Sequence, residues 1–140
     1  MTCVQVVVVV GAVLVDVPDS PSRVLAARRR CGPAEPNGRW EFPGGKVEPG
    51  EEPADALRRE LAEELALDAV VMTEVGDGTG WVISDRFVLR LFVAHVVAGA
   101  AMPGPDHDAV RWLGAEELDS VDWLDSDRAA LPLVRKFLQD

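Results

Sequence analysis

The sequence predicts an α/β fold in which a mixed β-sheet lies between helices, as an α/β sandwich. Two observations predict it. Apolar, β-branched runs and an amphipathic segment follow one another in the order β-β-β-α-β-β-β-α, which combines a mixed sheet with helices. The segment from Pro53 to Leu65 has the 3.6-residue period of a helix, whose apolar stripe must be buried against another layer. The 140 residues suit one domain, 1–140, with a single core.

The first predicted strand, Val4–Val15, contains five consecutive valines, and β-branched residues favour a buried strand. The run lacks a basic leader and reaches Asp16 too soon to span a bilayer, so we expect no membrane association. Turn-forming residues predict loops at 16–23 and 31–38. A returning strand is expected between these loops at Val24–Arg29, and a short strand follows the second loop at 39–42.

The glycine- and proline-rich segment "PGGKVEPGEEP", residues 43–53, is predicted to be irregular. The helix begins at Pro53, because proline suits the first helical position, and ends near Leu65. At about 100° per residue the helix has an apolar stripe and, beside it, a separate acidic stripe. The apolar stripe consists of Ala54, Leu57, Leu61 and Leu65, and the acidic stripe of Glu60, Glu63 and Glu64.

The second half of the chain is predicted as strands followed by a helix. Strands are expected at Ala69–Val75 and at Trp81–Val97, the latter interrupted by a turn at 84–85. After a loop at 99–108, we expect a short strand at Ala109–Leu113, a helical turn at Ala115–Leu118 and an amphipathic helix at Ala129–Leu138.

Charge and cysteine content exclude several classes of partner. The formal net charge is −10, and binding to a nucleic-acid backbone needs basic patches, so we expect no nucleic-acid partner. An acidic protein can still bind a polyphosphate when divalent cations mediate the contact. Cys3 and Cys31 show no metal-ligand spacing and are too few for a disulfide framework, which indicates reduced thiols in a cytoplasmic protein.

The acidic stripe is unfavourable as a bare surface. Glu60, Glu63 and Glu64 stand at i, i+3 and i+4, where each like-charge pair costs an isolated helix roughly 0.2–0.5 kcal/mol. Two of them also lie near the helix end, where the macrodipole disfavours carboxylates. Mg²⁺ prefers carboxylate oxygens and usually retains waters and substrate phosphates, so a bound metal would offset both penalties. The alternative is a solvated acidic surface, which the number of acids alone favours.

The segment Gly44–Leu67 resembles the Nudix box, whose pattern is G-x5-E-x7-R-E-U-x-E-E-x-G-U with U an aliphatic residue. The matching positions are Gly45, Glu51, Arg59, Glu60, Leu61, Glu63, Glu64 and Leu67. The penultimate glycine is replaced by Ala66, which can shift the helix end but removes no ligand. The resemblance continues from "WEFPGG" to the C-terminal helix, and it implies a Nudix-type α/β/α sandwich with a mixed β-sheet between helices.

The resemblance also implies a metal site and a catalytic set. The implied ligands for Mg²⁺, or Mn²⁺ as a substitute, are Glu60, Glu63, Glu64, Asp106 on a loop, and a backbone carbonyl near Gly44. Glu51, positioned by Arg59, completes the catalytic set with the three helix glutamates. A metal-bound water would attack a substrate phosphorus, because coordination lowers the pKa of that water. Which carboxylate accepts its proton stays open.

The absence of several motifs and residues from the sequence reduces the number of compatible substrate classes. An additional motif of coenzyme-A-cleaving relatives is absent upstream of the box. No proline lies between Pro53 and Pro103, where relatives acting on ADP-ribose often have one, and the chain has no tyrosine, which dinucleoside polyphosphate hydrolases often use. The sequence is similar to the MutT-like branch, the nucleoside triphosphate pyrophosphohydrolases, which release a monophosphate and pyrophosphate.

Four further residues are expected to bind the substrate, namely Arg28, Phe42, Lys46 and Asp127. Phe42 matches an aromatic residue that packs near the base. Asp127 matches a residue that reads a base edge, and a carboxylate there would select the amino group or ring N–H that cytosine and 8-oxoguanine offer. Asp127 is also suited to cap the last helix, and His107 is suited equally to a loop hydrogen bond or to catalysis.

The sequence therefore predicts a Mg²⁺-dependent hydrolase of 8-oxo-dGTP or cytidine nucleotides (CTP, dCTP, 5-methyl-dCTP). Its partner is a small-molecule nucleotide, and a monomer and a homodimer are equally compatible with the sequence. One alternative is a hydrolase of another nucleoside diphosphate derivative. A second is a non-catalytic nucleotide-sensing module, although such modules usually lose box glutamates and carry a DNA-binding domain, for which 140 residues leave no room. A calcium buffer is disfavoured because no EF-hand loop pattern is present.

Overall fold

The computed structural model describes residues 5–31 and 38–138. The strands are β1 (Val7–Val15), β2 (Arg23–Arg29), β3 (Trp40–Glu41), β4 (Gly44–Lys46), β5 (Asp68–Glu74), β6 (Trp81–Val82), β7 (Phe87–Ala98) and β8 (His107–Gly114). The helices are α1 (Pro53–Leu65) and α2 (Asp125–Arg135), with a 3₁₀ helix at Ala115–Ser120. The beginning of the predicted first strand at Val4, the residue Cys3 and loop residues 32–37 lie outside the described residues.

All eight strands belong to one sheet, with the order β3-β2-β1-β7-β5 along its main path. Three strands lie beside this path, β4 against β1, β6 against β7 and β8 against β2. β1 and β7 pair in parallel over their length, from Val7 opposite Phe87 to Val15 opposite His95, whereas the other pairs are antiparallel. The predicted mixed sheet between helices is therefore confirmed.

The sheet has a hydrophobic core on each face. Alternate residues of β1 point to opposite faces, so that Val10, Ala12 and Leu14 pack with α1, whereas Val13 and Val15 pack with α2 and the 3₁₀ helix. Because both faces of β1 are covered, all six residues from Val10 to Val15 are buried. This two-sided burial is the physical reason for the unbroken apolar run that predicted the strand.

Helix α1 has the predicted bounds, and Ala66 follows it in the left-handed conformation with φ 54°. The amide of Ala66 donates to the carbonyl of Ala62, and the amide of Leu67 donates to that of Leu61, so the helix ends in a regular capped turn. The alanine therefore leaves the helix end at Leu65, but it holds a backbone conformation that glycine adopts more easily.

Ala66→Gly should raise the free energy of unfolding by about 1 kcal/mol, because glycine removes the clash of a Cβ in the left-handed region. Urea unfolding with an unchanged m-value measures the gain. The matched control is Ala62→Gly, at an exposed position inside the same helix, which should lose about 1 kcal/mol. Equal losses at both positions would contradict the assignment of strain to Ala66.

The segment 43–53 is not wholly irregular, contrary to the prediction. Gly44, Gly45 and Lys46 form β4, which pairs with Gly11, Val10 and Val9 of β1. The pairing brings backbones so close that a Cβ on Gly44 would lie 1.8 Å from the carbonyl oxygen of Val10. Glycine therefore permits a strand here because it has no side chain, which local turn propensity does not reveal.

The bounds of two other predicted elements are wrong. α2 begins at Asp125, not at Ala129, because its first turn carries acids that suit the positive helix end but do not continue the apolar period. It also ends at Arg135, before the predicted Leu138. β8 begins at His107, not at Ala109, because His107 pairs with Arg29 of β2 beyond a bulge.

In the part of the chain that the structure describes, no helix is long and apolar enough to cross a membrane.

Candidate functional site

A cleft of about 580 Å³ opens between β3, β4, the end of α1, the loop before β8 and the start of α2. Six of the predicted site residues line it, namely Phe42, Gly44, Lys46, Glu64, Asp106 and Asp127. These residues come from distant parts of the sequence, and the sheet brings them together. We call the part of the lining formed by Glu64 and Asp106 the acidic end of the cleft, and the part formed by Asp127 the Asp127 end.

Arg59 organises the box acids beside the cleft. Its Nε and Nη2 donate to the two carboxylate oxygens of Glu51 at 2.9 Å each, a bidentate pair. Its Nη1 donates to Glu60 Oε1 at 2.9 Å and to Glu63 Oε2 at 3.4 Å. The hydrogen bond from Arg59 lowers the pKa of Glu51 to about 2, so Glu51 is ionised at neutral pH. Nη2 also donates to the carbonyl of Lys46, which ties α1 to β4.

Glu60 lies against a glycine of β4. A Cβ on Gly45 would fall 2.3 Å from the Glu60 Cδ and 2.6 Å from each of its carboxylate oxygens. The missing side chain of Gly45 therefore provides the space in which this carboxylate rests, and the match at this box position has a steric explanation.

Glu64 lines the acidic end, and the buried His107 lies close enough to Glu64 for their charges to interact. Burial raises the pKa of Glu64 to about 7, the charge of His107 opposes the rise, and the charges of Glu60, Glu41 and Asp106 add to it. Burial alone would lower the pKa of His107, but the hydrogen bond and charges from neighbouring acids outweigh it and raise that pKa. Among the described residues, Glu64 Oε2 and His107 Nδ1 are the two buried side-chain atoms without a hydrogen-bond partner.

Two observations favour a cation at the acidic end. The unpartnered, buried Glu64 Oε2 is a hard oxygen donor of the type that Mg²⁺ accepts, and Gly45 leaves room for the Glu60 carboxylate beside it. Within residues 5–31 and 38–138, however, no three acid, histidine or cysteine side chains converge as a ready ligand cluster. The hydrogen bonds from Arg59 hold Glu60 and Glu63, so a metal would compete with this guanidinium for them.

Asp127 lines the cleft and is 3% exposed. Its Oδ1 accepts a hydrogen bond from the amide of Phe42 at 2.9 Å, and its Oδ2 accepts one from the hydroxyl of Ser126 at 3.3 Å. Burial raises the pKa of Asp127 to about 7, against the effect of the Phe42 amide. The side chain makes no capping hydrogen bond to α2, whose N-cap residue is Leu124, so the capping alternative is wrong.

Phe42 is buried beneath the cleft, with its ring centroid 4.7 Å from that of Trp123. Lys46 lies on the cleft wall with its Nζ 5.2 Å from the centre of the Phe87 ring. Arg28 does not line the cleft, because its Nε is bound to Asp108 Oδ1 at 2.6 Å. The structure therefore brings Phe42 and Lys46, but not Arg28, to the predicted substrate site.

Three residues outside the predicted site line the cleft, and His107, whose role the sequence left open between a loop hydrogen bond and catalysis, supports one of them. Arg29 and Arg30 line the cleft in place of Arg28, because the bulge in β2–β8 pairing lies between Arg28 and Arg29. Glu41 lines it from β3, and its Oε2 lies 2.9 Å from Nε2 of the buried His107. Arg28, Arg29 and Arg30 are consecutive, and the sequence contains no signal for the bulge that places the last two, and not Arg28, at the cleft.

The adjacent glycines of β4 should respond differently to alanine. In Gly45→Ala the three atoms nearest to the new Cβ all belong to the carboxylate group of Glu60, at the end of a flexible side chain. The free energy of unfolding should therefore stay unchanged. Displacement of that carboxylate should lower turnover about 10²-fold. In Gly44→Ala it meets the backbone of Val10, so the free energy of unfolding should fall by about 1–3 kcal/mol. Thermal unfolding and nucleotide turnover of the two variants measure the contrast. Similar losses of stability would contradict it.

Comparisons with known proteins give one consistent result. The family model of the NUDIX domain matches residues 6–134. A Mycobacterium tuberculosis protein named "Putative 8-oxo-dGTP diphosphatase 2" is 44% identical over 108 residues, which cover 75% of this chain and 74% of that protein. The "CTP pyrophosphohydrolase" of Escherichia coli is 33% identical over 137 residues, covering 96% and 93%. The solution structure of the E. coli ORF135 protein superposes with a TM-score of 0.72 at 29% identity, covering 92% and 88%.

Proposed function

This chain belongs to the NUDIX family, and we propose that it splits nucleoside triphosphates into a monophosphate and pyrophosphate, with 8-oxo-dGTP or cytidine nucleotides as substrates. It is a hydrolase that acts on phosphoric anhydride bonds, of the MutT-like type. The observation that carries the substrate proposal is the single cleft that joins a buried carboxylate, Asp127, to the acidic end at Glu64 and Asp106. Such a cleft suits a base at one end and a triphosphate at the other.

The acidic end is proposed to take the phosphates together with a divalent cation, which we propose to be Mg²⁺, with Mn²⁺ as a substitute. Its ligands would be Glu60, Glu63, Glu64, Asp106 and the carbonyl of Gly44. When bound, the cation would lower the pKa of the attacking water and neutralise charge on the phosphoryl oxygens. Arg59 would release Glu60 and Glu63 to the cation while keeping its bidentate pair with Glu51.

Basic side chains of the chain itself line the same cleft and would support the phosphates. Arg29, Arg30 and Lys46 line the cleft, and Arg30 is fixed by hydrogen bonds to the carbonyls of Pro105 and His107. A guanidinium binds phosphate oxygens in a defined geometry, whereas Lys46 acts as a point charge. The proton of the attacking water would pass to one of the box glutamates or to Asp106.

The Asp127 end is proposed to take the base. Phe42 lies beneath it, and Asp127 presents Oδ2 while Oδ1 accepts from the Phe42 amide. When ionised, this carboxylate accepts hydrogen bonds only, so it favours a base with an amino group or a ring N–H. Cytosine and 8-oxoguanine both have such groups, which agrees with the names that the two relatives carry.

Product analysis tests the proposal. The purified protein with MgCl₂ should convert at least one of 8-oxo-dGTP, dCTP, 5-methyl-dCTP and CTP to its monophosphate and pyrophosphate. Chelation with EDTA should stop the reaction, and added Mg²⁺ should restore it. A panel of about twenty nucleotides compared by kcat/KM would rank base and sugar. Release of orthophosphate alone, or tight nucleotide binding without turnover, would contradict the proposal, and the second result would favour the nucleotide-sensing alternative.

A further inference from the structure

His107 is a buried histidine that the proposed phosphate and base contacts leave unassigned. Its side chain is 1% exposed, its Nε2 lies 2.9 Å from Glu41 Oε2, and its Nδ1 has no partner among the described residues. A buried ring nitrogen without a hydrogen bond costs free energy, and an apolar side chain could fill the same space without that cost. The hydrogen bond to Glu41 is therefore the feature that distinguishes histidine here from a packing residue.

The backbone of His107 is fixed independently of its ring. Its amide donates to the carbonyl of Gly104 at 3.3 Å, and its carbonyl accepts from Arg30 Nη2 at 3.2 Å. Gly104 in turn packs on the end of α1, since a Cβ there would lie 1.9 Å from the carbonyl oxygen of Glu64. Because the ring is attached to this fixed backbone and enclosed on all sides, it can hold Glu41 in place, whereas Glu41 projects into a cleft that leaves it room to move.

Glu41 lines the same cleft as Asp127 and Glu64. It directly precedes Phe42, whose amide donates to Asp127 Oδ1. The hydrogen bond from His107 and the 3.9 Å contact from Arg29 Nε both fall on Oε2. Within the described residues no hydrogen bond falls on Oε1, and Glu41 lines the cleft. Because Glu41 is next to Phe42 in β3 and the loop that follows it, the proposed binding mode places the nucleoside of the substrate beside Glu41.

We propose that His107 is a positioning residue that holds Glu41 by Oε2, so that Oε1 accepts a hydrogen bond from an N–H or O–H of the bound nucleoside. A neutral imidazole with its proton on Nε2 is sufficient for this role. The inference rests on the proposed function, because it requires a nucleotide in the cleft. It assigns nucleoside binding, and not phosphate chemistry, to the pair.

Binding of product monophosphates tests the pair without turnover. The dissociation constants of CMP, dCMP and 8-oxo-dGMP are measured by calorimetry for the wild type, His107→Leu, His107→Gln, Glu41→Gln and the double variant His107→Leu/Glu41→Gln. Loss of one hydrogen bond predicts about tenfold weaker binding for His107→Leu and for Glu41→Gln. His107→Gln retains an N–H donor and should recover most of the affinity. The double variant should bind no worse than Glu41→Gln, because the two residues act through one contact.

Inorganic pyrophosphate, which has no nucleoside, is the control ligand, and its affinity should be equal in all five proteins. A larger loss for CMP than for dCMP would identify a sugar O–H as the donor, whereas equal losses would identify a base N–H. Thermal unfolding that falls in His107→Leu with unchanged monophosphate affinity would overturn the inference in favour of a structural role. The inference would also be overturned if the loss of monophosphate affinity in the double variant equalled the product of the losses in the two single variants. If His107→Leu does not fold, unchanged affinity in Glu41→Gln alone overturns it.

The outcome is separable from that of the proposed function. A wild type that binds monophosphates but releases no pyrophosphate would contradict the proposed reaction, while the comparison of variants would still decide the role of His107.

Discussion

Glu64→Gln should reduce kcat/KM for nucleoside triphosphate hydrolysis by about 10²–10⁴, the range for removing a general base or a main electrostatic group. Glu64 ends the acidic stripe, lines the cleft and carries a buried, unpartnered oxygen. Glutamine keeps the size of the side chain but removes the charge that a divalent cation needs. The measurement is steady-state release of pyrophosphate with saturating MgCl₂, and Glu63→Gln should show a loss of the same kind.

The matched control for this prediction is Glu52→Gln. Glu52 precedes the same helix, is exposed, and makes no side-chain hydrogen bond as its N-cap residue. It should retain the wild-type rate, which separates the box acids from acidity in general. Because burial disfavours the charged form of Glu64, Glu64→Gln should not lower the melting temperature. A variant that is stable and fully active would show that the acidic stripe is only a solvated surface.

Asp127→Asn should change which nucleotide the enzyme prefers. Its amide oxygen must stay at the Phe42 amide, as Oδ1 does now, so its NH₂ group would take the place of Oδ2. A donor would then face the amino group or ring N–H of the base. We expect kcat/KM for the preferred base to fall by about 10–100-fold, the range for a charged hydrogen bond that is lost or reversed. The nucleotide panel measured on both proteins gives the change in ranking.

The control for this second prediction is Asp125→Asn, two residues earlier, where the side chain is 93% exposed. It should leave the ranking unchanged.

The wild-type ranking should also depend on pH near 7, since Asp127 gains a donor O–H below its pKa of about 7 and is only an acceptor above it. Asp127→Asn should lose this dependence. An unaltered ranking in Asp127→Asn would remove the proposed base contact.

Asp127 should also leave a signature in stability. Folding raises its pKa from an ordinary value of 3.8 to about 7, so the folded state binds more protons than the unfolded state between these values. The free energy of unfolding therefore falls as pH rises from about 4 to about 7. Asp127→Asn should lose its part of this slope, whereas Glu64, whose pKa burial also raises, should still contribute to it.

Many of the candidate site residues could be predicted from the sequence because they lie in one helix and the turn before it. The spacing of Glu60, Glu63 and Glu64 places them on one helical face whatever the rest of the chain does. The helix bounds were also predictable, since Pro53 suits its first turn and the apolar residues follow a regular period up to Leu65. The family comparisons confirm the resulting prediction of a MutT-like hydrolase. The cytoplasmic location and the choice between monomer and homodimer stay predictions.

The sequence by itself determined the helix, its acidic face and the mixed sheet, because helical spacing and β-branched runs are local properties of the chain, and the box pattern identified the hydrolase family. Only the tertiary structure decided that β4 is a strand, that Arg29 and Arg30 line the cleft in place of Arg28, and that His107 holds Glu41. Those features depend on close backbone approach, on a bulge and on burial between distant segments. They arise from pairing across the sheet, which no local pattern of residues encodes.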